Sequence, residues 1–220
     1  MPAESAVRDG DGPGHALIET FRFEPGSGFV RLERHLARLE RSARELGFRY
    51  SRDRVDEALA GLSGRDAPLR VRLELALDGA VEVTSQPFVP LAPGTVWTIG
   101  IAEARLDAAD PLVRHKTTRR QIYEAARAEF SRDEADEVVL LNGDGRLCEG
   151  TITNVFVDSG DGLLRTPSLA NGLLPGVLRA QLIEEERAVE ADLSPEDLRS
   201  AAAIFVGNSL RGLIPARLRA

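Results

Sequence analysis

Cysteine is nearly absent: Cys148 stands alone among 220 residues. One cysteine excludes an intramolecular disulfide, and it excludes zinc sites built from four cysteines or from two cysteines and two histidines. No metal site is expected. No apolar run approaches the ~20 residues that span a bilayer. The N-terminus is polar and acidic, without the apolar stretch of a signal peptide, so the expectation is a soluble, cytoplasmic protein. A basic excess is missing too. Lys and Arg together number 28 against 35 Asp and Glu, for a formal net charge of -7 and a pI near 5.2. That balance speaks against nucleic acid or a membrane surface as a partner. What is present is a chain 43% hydrophobic. That is enough for a substantial core in one large or two small domains.

Hydrophobic periodicity orders the chain. Residues 1–13 are rich in Gly and Asp and read as a disordered tail. Ala16–Phe23 reads as a strand, and Glu24-Pro25-Gly26-Ser27-Gly28 as the turn of a hairpin into Phe29-Val30. Leu32, Leu36, Leu39, Ala43 and Leu46 recur at helical spacing within Arg31–Leu46, and Gly47 stops that helix. Ser51 caps a second helix to about Leu62. Leu69, Val71, Leu73, Leu75 and Leu77 alternate with charged residues, which predicts a half-buried strand. Asp78-Gly79 turns it into Val81–Thr84, and Val96–Ile101 follows as another strand. The predicted division is a small N-terminal α/β domain over 14–108 and a larger C-terminal domain over 109–220. The second contains a helix from Thr117 or Thr118 to about Phe130 and a strand Glu137–Leu141. One or more strands follow within Leu147–Val157, then a helix from Val177 to about Glu186. Ser194, Pro195 and Asp197 mark a short capped helix. Ala203–Val206 reads as the last clear strand.

Three local signals carry chemistry. Lys116 lies in Val113-Arg114-His115-Lys116-Thr117-Thr118-Arg119. A lysine amine can condense with an aldehyde and then shuttle protons. The bland reading is a surface lysine at a helix start, but Arg119 and Arg120 in the first turn oppose the helix dipole and invite an anion. Glu149 follows a turn in an apolar region, where a carboxylate can keep a pyridine nitrogen protonated; the bland reading, which local pattern favours, is a solvent-facing strand residue. Pro175-Gly176 precedes the helix beginning Val177-Leu178, whose first N–H groups can receive a phosphate. An ordinary capped helix has the same pattern. The loop Gly207-Asn208-Ser209-Leu210-Arg211-Gly212 adds further donors. Arg38 lies beside His35 at the edge of the first helix's apolar stripe, among arginines and glutamates that pair along the solvated face.

Taken in order, these segments resemble the fold-type IV pyridoxal phosphate enzymes, the class IV aminotransferases, over almost the whole chain. The resemblance rests on Ile18-Glu19-Thr20-Phe21-Arg22, Arg34-His35-Leu36-Ala37-Arg38-Leu39, His115-Lys116-Thr117-Thr118, Cys148-Glu149-Gly150-Thr151-Ile152-Thr153-Asn154 and Leu174-Pro175-Gly176-Val177-Leu178-Arg179. It implies an α/β (α+β) two-domain fold, like that of the D-amino-acid aminotransferases, with a shortened N-terminus. It implies pyridoxal 5'-phosphate (PLP) as cofactor. Lys116 would be the Schiff-base lysine and Glu149 the partner of the pyridine nitrogen. Arg38, the N–H groups of Val177 and Leu178, Asn208 and Ser209 would hold the phosphate. Within the family, the Asn208–Gly212 loop and the segment Leu17–Leu39 look most like 4-amino-4-deoxychorismate lyase. That activity implies a small dicarboxylate substrate, with Arg22 and Arg211 as carboxylate anchors and Thr20 assisting proton transfer. It also implies a homodimer, possible action beside aminodeoxychorismate synthase, and a product, 4-aminobenzoate, used in folate biosynthesis. The alternatives are a class IV aminotransferase for branched-chain or D-amino acids, and a PLP-carrying or partner-binding protein with little catalysis.

Overall fold

In the computed structural model, residues 15–62 and 64–219 are described; the predicted tail lies outside them. The chain divides into two compact units. One runs to Pro87 and includes Lys116–Arg119; the other comprises Phe88–His115 and the chain from Arg120 onward.

The first unit contains β1 (Leu17–Glu24), β2 (Gly28–Phe29), α1 (Leu32–Leu46), α2 (Arg52–Ala60), β3 (Leu69–Leu75) and β4 (Val81–Pro87). The strands form an antiparallel sheet in the order β2-β1-β3-β4. β1 pairs with β3 without a break from Leu17↔Leu75 to Phe23↔Leu69. The period of two then sorts the side chains. Leu17, Phe21, Phe23, Val71, Leu73 and Leu75 fill the core with Leu36, Leu39 and Ala43 of α1. Each of the Leu, Val and Phe side chains contributes roughly 1.5–3 kcal/mol by burial. Gly47 ends α1 in the left-handed region at φ 76°, where a Cβ is disfavoured.

The second unit holds β5 (Trp97–Leu106), α3 (Gln121–Ala128), β6 (Glu137–Asn142), β7 (Leu147–Gly150), β8 (Asn154–Asp158), β9 (Leu164–Pro167), α4 (Val177–Glu184), β10 (Ala188–Ala191), α5 (Pro195–Ser200), β11 (Ala203–Asn208) and β12 (Gly212–Leu218). The sheet order is β10-β9-β8-β11-β12-β5-β6-β7, and β7 also pairs with β8. Six strands therefore close into a ring: β8, β11, β12, β5, β6 and β7. The contacts Glu149↔Asn154 and Gly207↔Asn154 bring the end of β7, the start of β8 and the end of β11 side by side. Ile99, Val139, Val155, Val206 and Ile214 pack into one core with Leu193 and Leu198. A second core lies under α3 and a third under α4.

Several expectations change. The helix predicted from Thr117 or Thr118 begins at Gln121. Thr117 instead bridges Leu17, and Thr118 N donates to Ala16 O at 2.9 Å. Extended pairing with β1 satisfies these backbone groups, so Arg119 and Arg120 precede the helix. The unit boundary falls at Pro87/Phe88, not near residue 108, because β5 pairs with β6 and β12. β5 runs on to Leu106, and β10 and β12 were not expected. β10 is four residues of Ala, Val and Glu, and β12 carries Pro215, which weakens any strand signal.

Candidate active site

Within the first unit, Lys116 is half-buried on the edge of β1, and its carbonyl accepts from Ile18 N at 2.8 Å. Lys116 is also the only lysine in the chain. That count identifies it more directly than its local motif, because any lysine-borne imine must form there.

On β1, the alternation that buries Leu17, Phe21 and Phe23 also buries Glu19. A carboxylate on an apolar face needs partners. Arg38 supplies two: Nε donates to Glu19 Oε1 at 2.8 Å and Nη2 to Oε2 at 2.6 Å. His35 Nδ1 lies 2.6 Å from Oε2. Burial raises the Glu19 pKa, but the adjacent Arg38 charge and the hydrogen bonds from Arg38 and His35 outweigh it and hold the carboxyl well down, at about 2. Burial also pushes His35 below its ordinary value, helped by the Arg38 and Lys116 charges and opposed by Glu19. We read His35 as neutral, with Nδ1–H donating to Glu19. Arg38 is thus oriented from behind by a buried carboxylate. Thr20 and Arg22 fall on the opposite face of β1, in register with Arg72 and Arg70. Arg22 Nε lies 2.8 Å from Glu24 Oε1.

Within the second unit, Glu149 is buried at the end of β7. Its Oε1 accepts from Tyr123 OH at 2.8 Å and Leu174 N at 3.1 Å. Burial, with the Glu149 charge, pushes the Tyr123 phenol well above its usual range, so the hydroxyl stays a donor. The Arg120 guanidinium stacks over the Tyr123 ring, 4.9 Å from its centroid. Asn154, beside Glu149, donates from Nδ2 to Leu174 O at 3.1 Å. A Cβ on Gly176 would fall 1.8 Å from Asn154 Oδ1, so only glycine lets the chain enter α4 there. Val177 and Leu178 open α4, and their N–H groups lie ahead of its first intrahelical donor, Ala180 N, which bonds Gly176 O at 2.9 Å. Asn208 is engaged at both ends of its amide: Nδ2 donates to Ile152 O at 3.1 Å, and Oδ1 accepts from Arg211 N at 3.0 Å. Ser209 is buried next to it, and Arg211 lies over the Phe88 ring at 5.7 Å.

The structure therefore collects Glu149, Val177, Leu178 and Asn208 around Asn154 in one unit; in the other, Lys116 lies at the edge of β1, Arg38 on its buried face and Thr20 on the opposite one. A buried, oriented carboxylate beside a helix N-terminus is the donor and acceptor set that a protonated pyridine and a phosphate need. The residues present fit PLP.

Glu19 and Glu137 escaped the sequence reading. Strand parity already put Glu19 on the apolar face. Glu137 opens the apolar run Glu-Val-Val-Leu-Leu and is 1% exposed. Its Oε1 accepts from Val138 N, Thr151 N and Thr151 Oγ1 at 2.8, 3.1 and 2.6 Å. Its Oε2 accepts from Ile152 N at 3.2 Å and Thr153 Oγ1 at 2.9 Å.

Comparison with known proteins gives the family. The family model described as amino-transferase class IV matches residues 16–218. The crystal structure of a "Putative amino-acid aminotransferase" from Mesorhizobium loti is 55% identical, with a TM-score of 0.91 over 93% of this chain and 99% of that one. A "Putative aminodeoxychorismate lyase" of Schizosaccharomyces pombe is 32% identical over 89% of this chain and 86% of its own length. A "Probable branched-chain-amino-acid aminotransferase" of Thermotoga maritima is 30% identical over 92% of this chain and 76% of its own. The chain belongs to the class IV aminotransferase family and is a PLP-dependent enzyme of fold-type IV, acting as a lyase or an aminotransferase.

Proposed function

We propose that this enzyme is a 4-amino-4-deoxychorismate lyase, releasing pyruvate and leaving 4-aminobenzoate. The observation that carries this reading is the face of β1 and β3 around Thr20. Arg22 stands opposite Arg70 and Thr20 opposite Arg72. Arg22 and Arg72 each lean on a glutamate of their own strand. Like charges directly opposed across a sheet are unfavourable, and a doubly charged anion offsets the repulsion. A dicarboxylate suits such a face better than an aliphatic amino acid. Relatives named aminodeoxychorismate lyase support the same reading.

Lys116 would carry the cofactor, and Glu149 would keep the pyridine nitrogen protonated. Arg38, Val177 N, Leu178 N and Ser209 would hold the phosphate, with Asn208 fixing the loop that carries Ser209. When bound, PLP supplies an electron sink for the carbon bearing the substrate nitrogen. The Lys116 amine would be the base that takes the proton from that carbon. The C–O bond to the enolpyruvyl group breaks, the ring becomes aromatic, and the departing enol gains a proton to become pyruvate. Thr20 assists that last transfer, and Arg22 and Arg211 anchor the two carboxylates. No electrons are exchanged with a second substrate. The reading further takes the enzyme as a cytoplasmic homodimer supplied by aminodeoxychorismate synthase and feeding folate biosynthesis.

The second reading, a class IV aminotransferase, is favoured by the 55% identity to the Mesorhizobium protein. One assay separates them. Purified enzyme is given aminodeoxychorismate, and pyruvate is followed by coupled reduction; the same enzyme is given amino acids with α-keto acids. Pyruvate release that is lost in Lys116→Ala is expected. Steady transamination with no pyruvate release would refute the lyase.

A further inference from the structure

We propose that Glu137 is a positioning residue for the PLP site, acting through the turn Gly150–Thr153. The inference rests on the reading that Glu149 and the Asn208 loop serve the cofactor.

Five donors converge on this one buried carboxylate, and four of them come from Thr151, Ile152 and Thr153. No cation is among these donors, so hydrogen bonds alone offset the cost of burying its charge. The turn has no slack elsewhere. Gly150 N donates to Thr153 O at 2.7 Å, and Thr151 N also donates to Val138 O at 2.9 Å. A Cβ on Gly150 would meet Thr153 Oγ1 at 2.4 Å and the Glu137 carboxyl at 3.0 Å.

Glu137 grips the turn through its N–H and hydroxyl groups, and two of the turn's carbonyls are bound by Arg120 and Asn208. Thr151 O accepts from Arg120 Nη2 at 2.5 Å, and that arginine stacks on the tyrosine that holds Glu149. Ile152 O accepts from Asn208 Nδ2. Glu149 itself precedes the turn by one residue. The Ile152 side chain is turned outward, 55% exposed, because both its neighbours point at Glu137. Three contacts of the site thus share one anchor. Sites of this kind need their reacting groups held within about 0.5 Å, by partners that are themselves locked.

The test uses Glu137→Gln, which keeps size but turns an NH2 toward donors, and Thr153→Val, which removes one donor. PLP is added back to apo-protein, and its dissociation constant, the 31P resonance of the bound phosphate and the apo-protein melting temperature are recorded. Expected for Glu137→Gln is a PLP dissociation constant raised roughly 10- to 100-fold, as when other outer partners of a bound group are removed, with a displaced 31P resonance. Thr153→Val moves both the same way by less, and adding it to Glu137→Gln gives less than the product of the two effects. A lower melting temperature with unchanged PLP affinity and 31P resonance would make Glu137 merely structural and overturn the inference. If Glu137→Gln does not fold, Thr153→Val decides alone, and wild-type affinity and resonance in it overturn the inference. Wild-type protein that takes up no PLP would overturn the underlying reading instead, and the inference with it.

Discussion

Gly176→Ala gives a sharp test, because two effects oppose each other there. Gly176 has φ -64° and ψ 142°, which alanine adopts without strain. On backbone grounds alone the substitution stabilises by about 0.4–1 kcal/mol, by restricting the unfolded chain. The added Cβ, however, would fall 1.8 Å from Asn154 Oδ1 and 3.0 Å from its Cγ. Asn154 is buried and bonded to Leu174 O, so it yields only by breaking that bond. Overpacking costs about 1–3 kcal/mol, and the lost hydrogen bond about 1 kcal/mol. The net is a destabilisation of roughly 1–3 kcal/mol. For a chain of this size that lowers the melting temperature by about 2–12 °C. The control is Gly143→Ala, an exposed position with nothing within 4 Å of the new Cβ, where a change within about 0.5 kcal/mol is expected. Thermal melts of apo-proteins read both, and PLP titration reads the displaced first turn of α4 as weaker binding in Gly176→Ala alone. A Gly176→Ala protein as stable as Gly143→Ala, with unchanged PLP affinity, would refute the reasoning.

Tyr123→Phe removes one donor from Glu149, a bond to a buried charge, and should cost about 1.5–3 kcal/mol in apo-protein melts; an unchanged melting temperature would show that the bond carries no weight. Because burial raises the Tyr123 phenol, ultraviolet titration of the folded protein should show no tyrosinate from it at pH 10, where an unperturbed tyrosine is half ionised. The Glu19 pKa is lowered in the fold, so its stabilisation is present above the unfolded value of 4.5 and fades as pH falls toward 2. Its magnitude is on the order of 3 kcal/mol. His35 adds to the loss below 6.5, since the neutral form belongs to the fold and the unfolded chain binds the extra proton. Urea titrations across pH 2–7 should show the Glu19 part of that slope disappear in Glu19→Gln, and a slope identical to wild type would contradict the Glu19–Arg38 pairing.

Much of this could be read from pattern. The alternation Leu69, Val71, Leu73 and Leu75 and the stripe Leu32–Leu46 are one-dimensional consequences of burying one face, and both elements lie where they were expected. Glu149 could be singled out from the short segment Cys148–Asn154, and Gly176 and Val177 from Leu174–Arg179, because each segment is a local pattern. What stayed hidden depends on tertiary pairing. Thr117 and Thr118 carry helix-start chemistry, but β1 offers their backbone a strand partner, and the strand prevails. β12 is a strand despite Pro215 because β11 and β5 lie on either side of it. Glu137 is separated by 14 to 16 residues from the threonines it binds, a spacing that no local period reveals. Lys116 is the opposite case: its motif looked ordinary, while the composition of the whole chain singled it out.

That composition sets the most direct test. Holoenzyme is reduced with sodium borohydride, which fixes an imine as a stable secondary amine, then digested and analysed by mass spectrometry. The expected result is one phosphopyridoxyl group per chain, on the peptide containing Lys116 and nowhere else. An unmodified Lys116 peptide from protein that had bound PLP, or a label confined to the chain's N-terminal amine, would contradict the assignment of Lys116 as the cofactor's carrier.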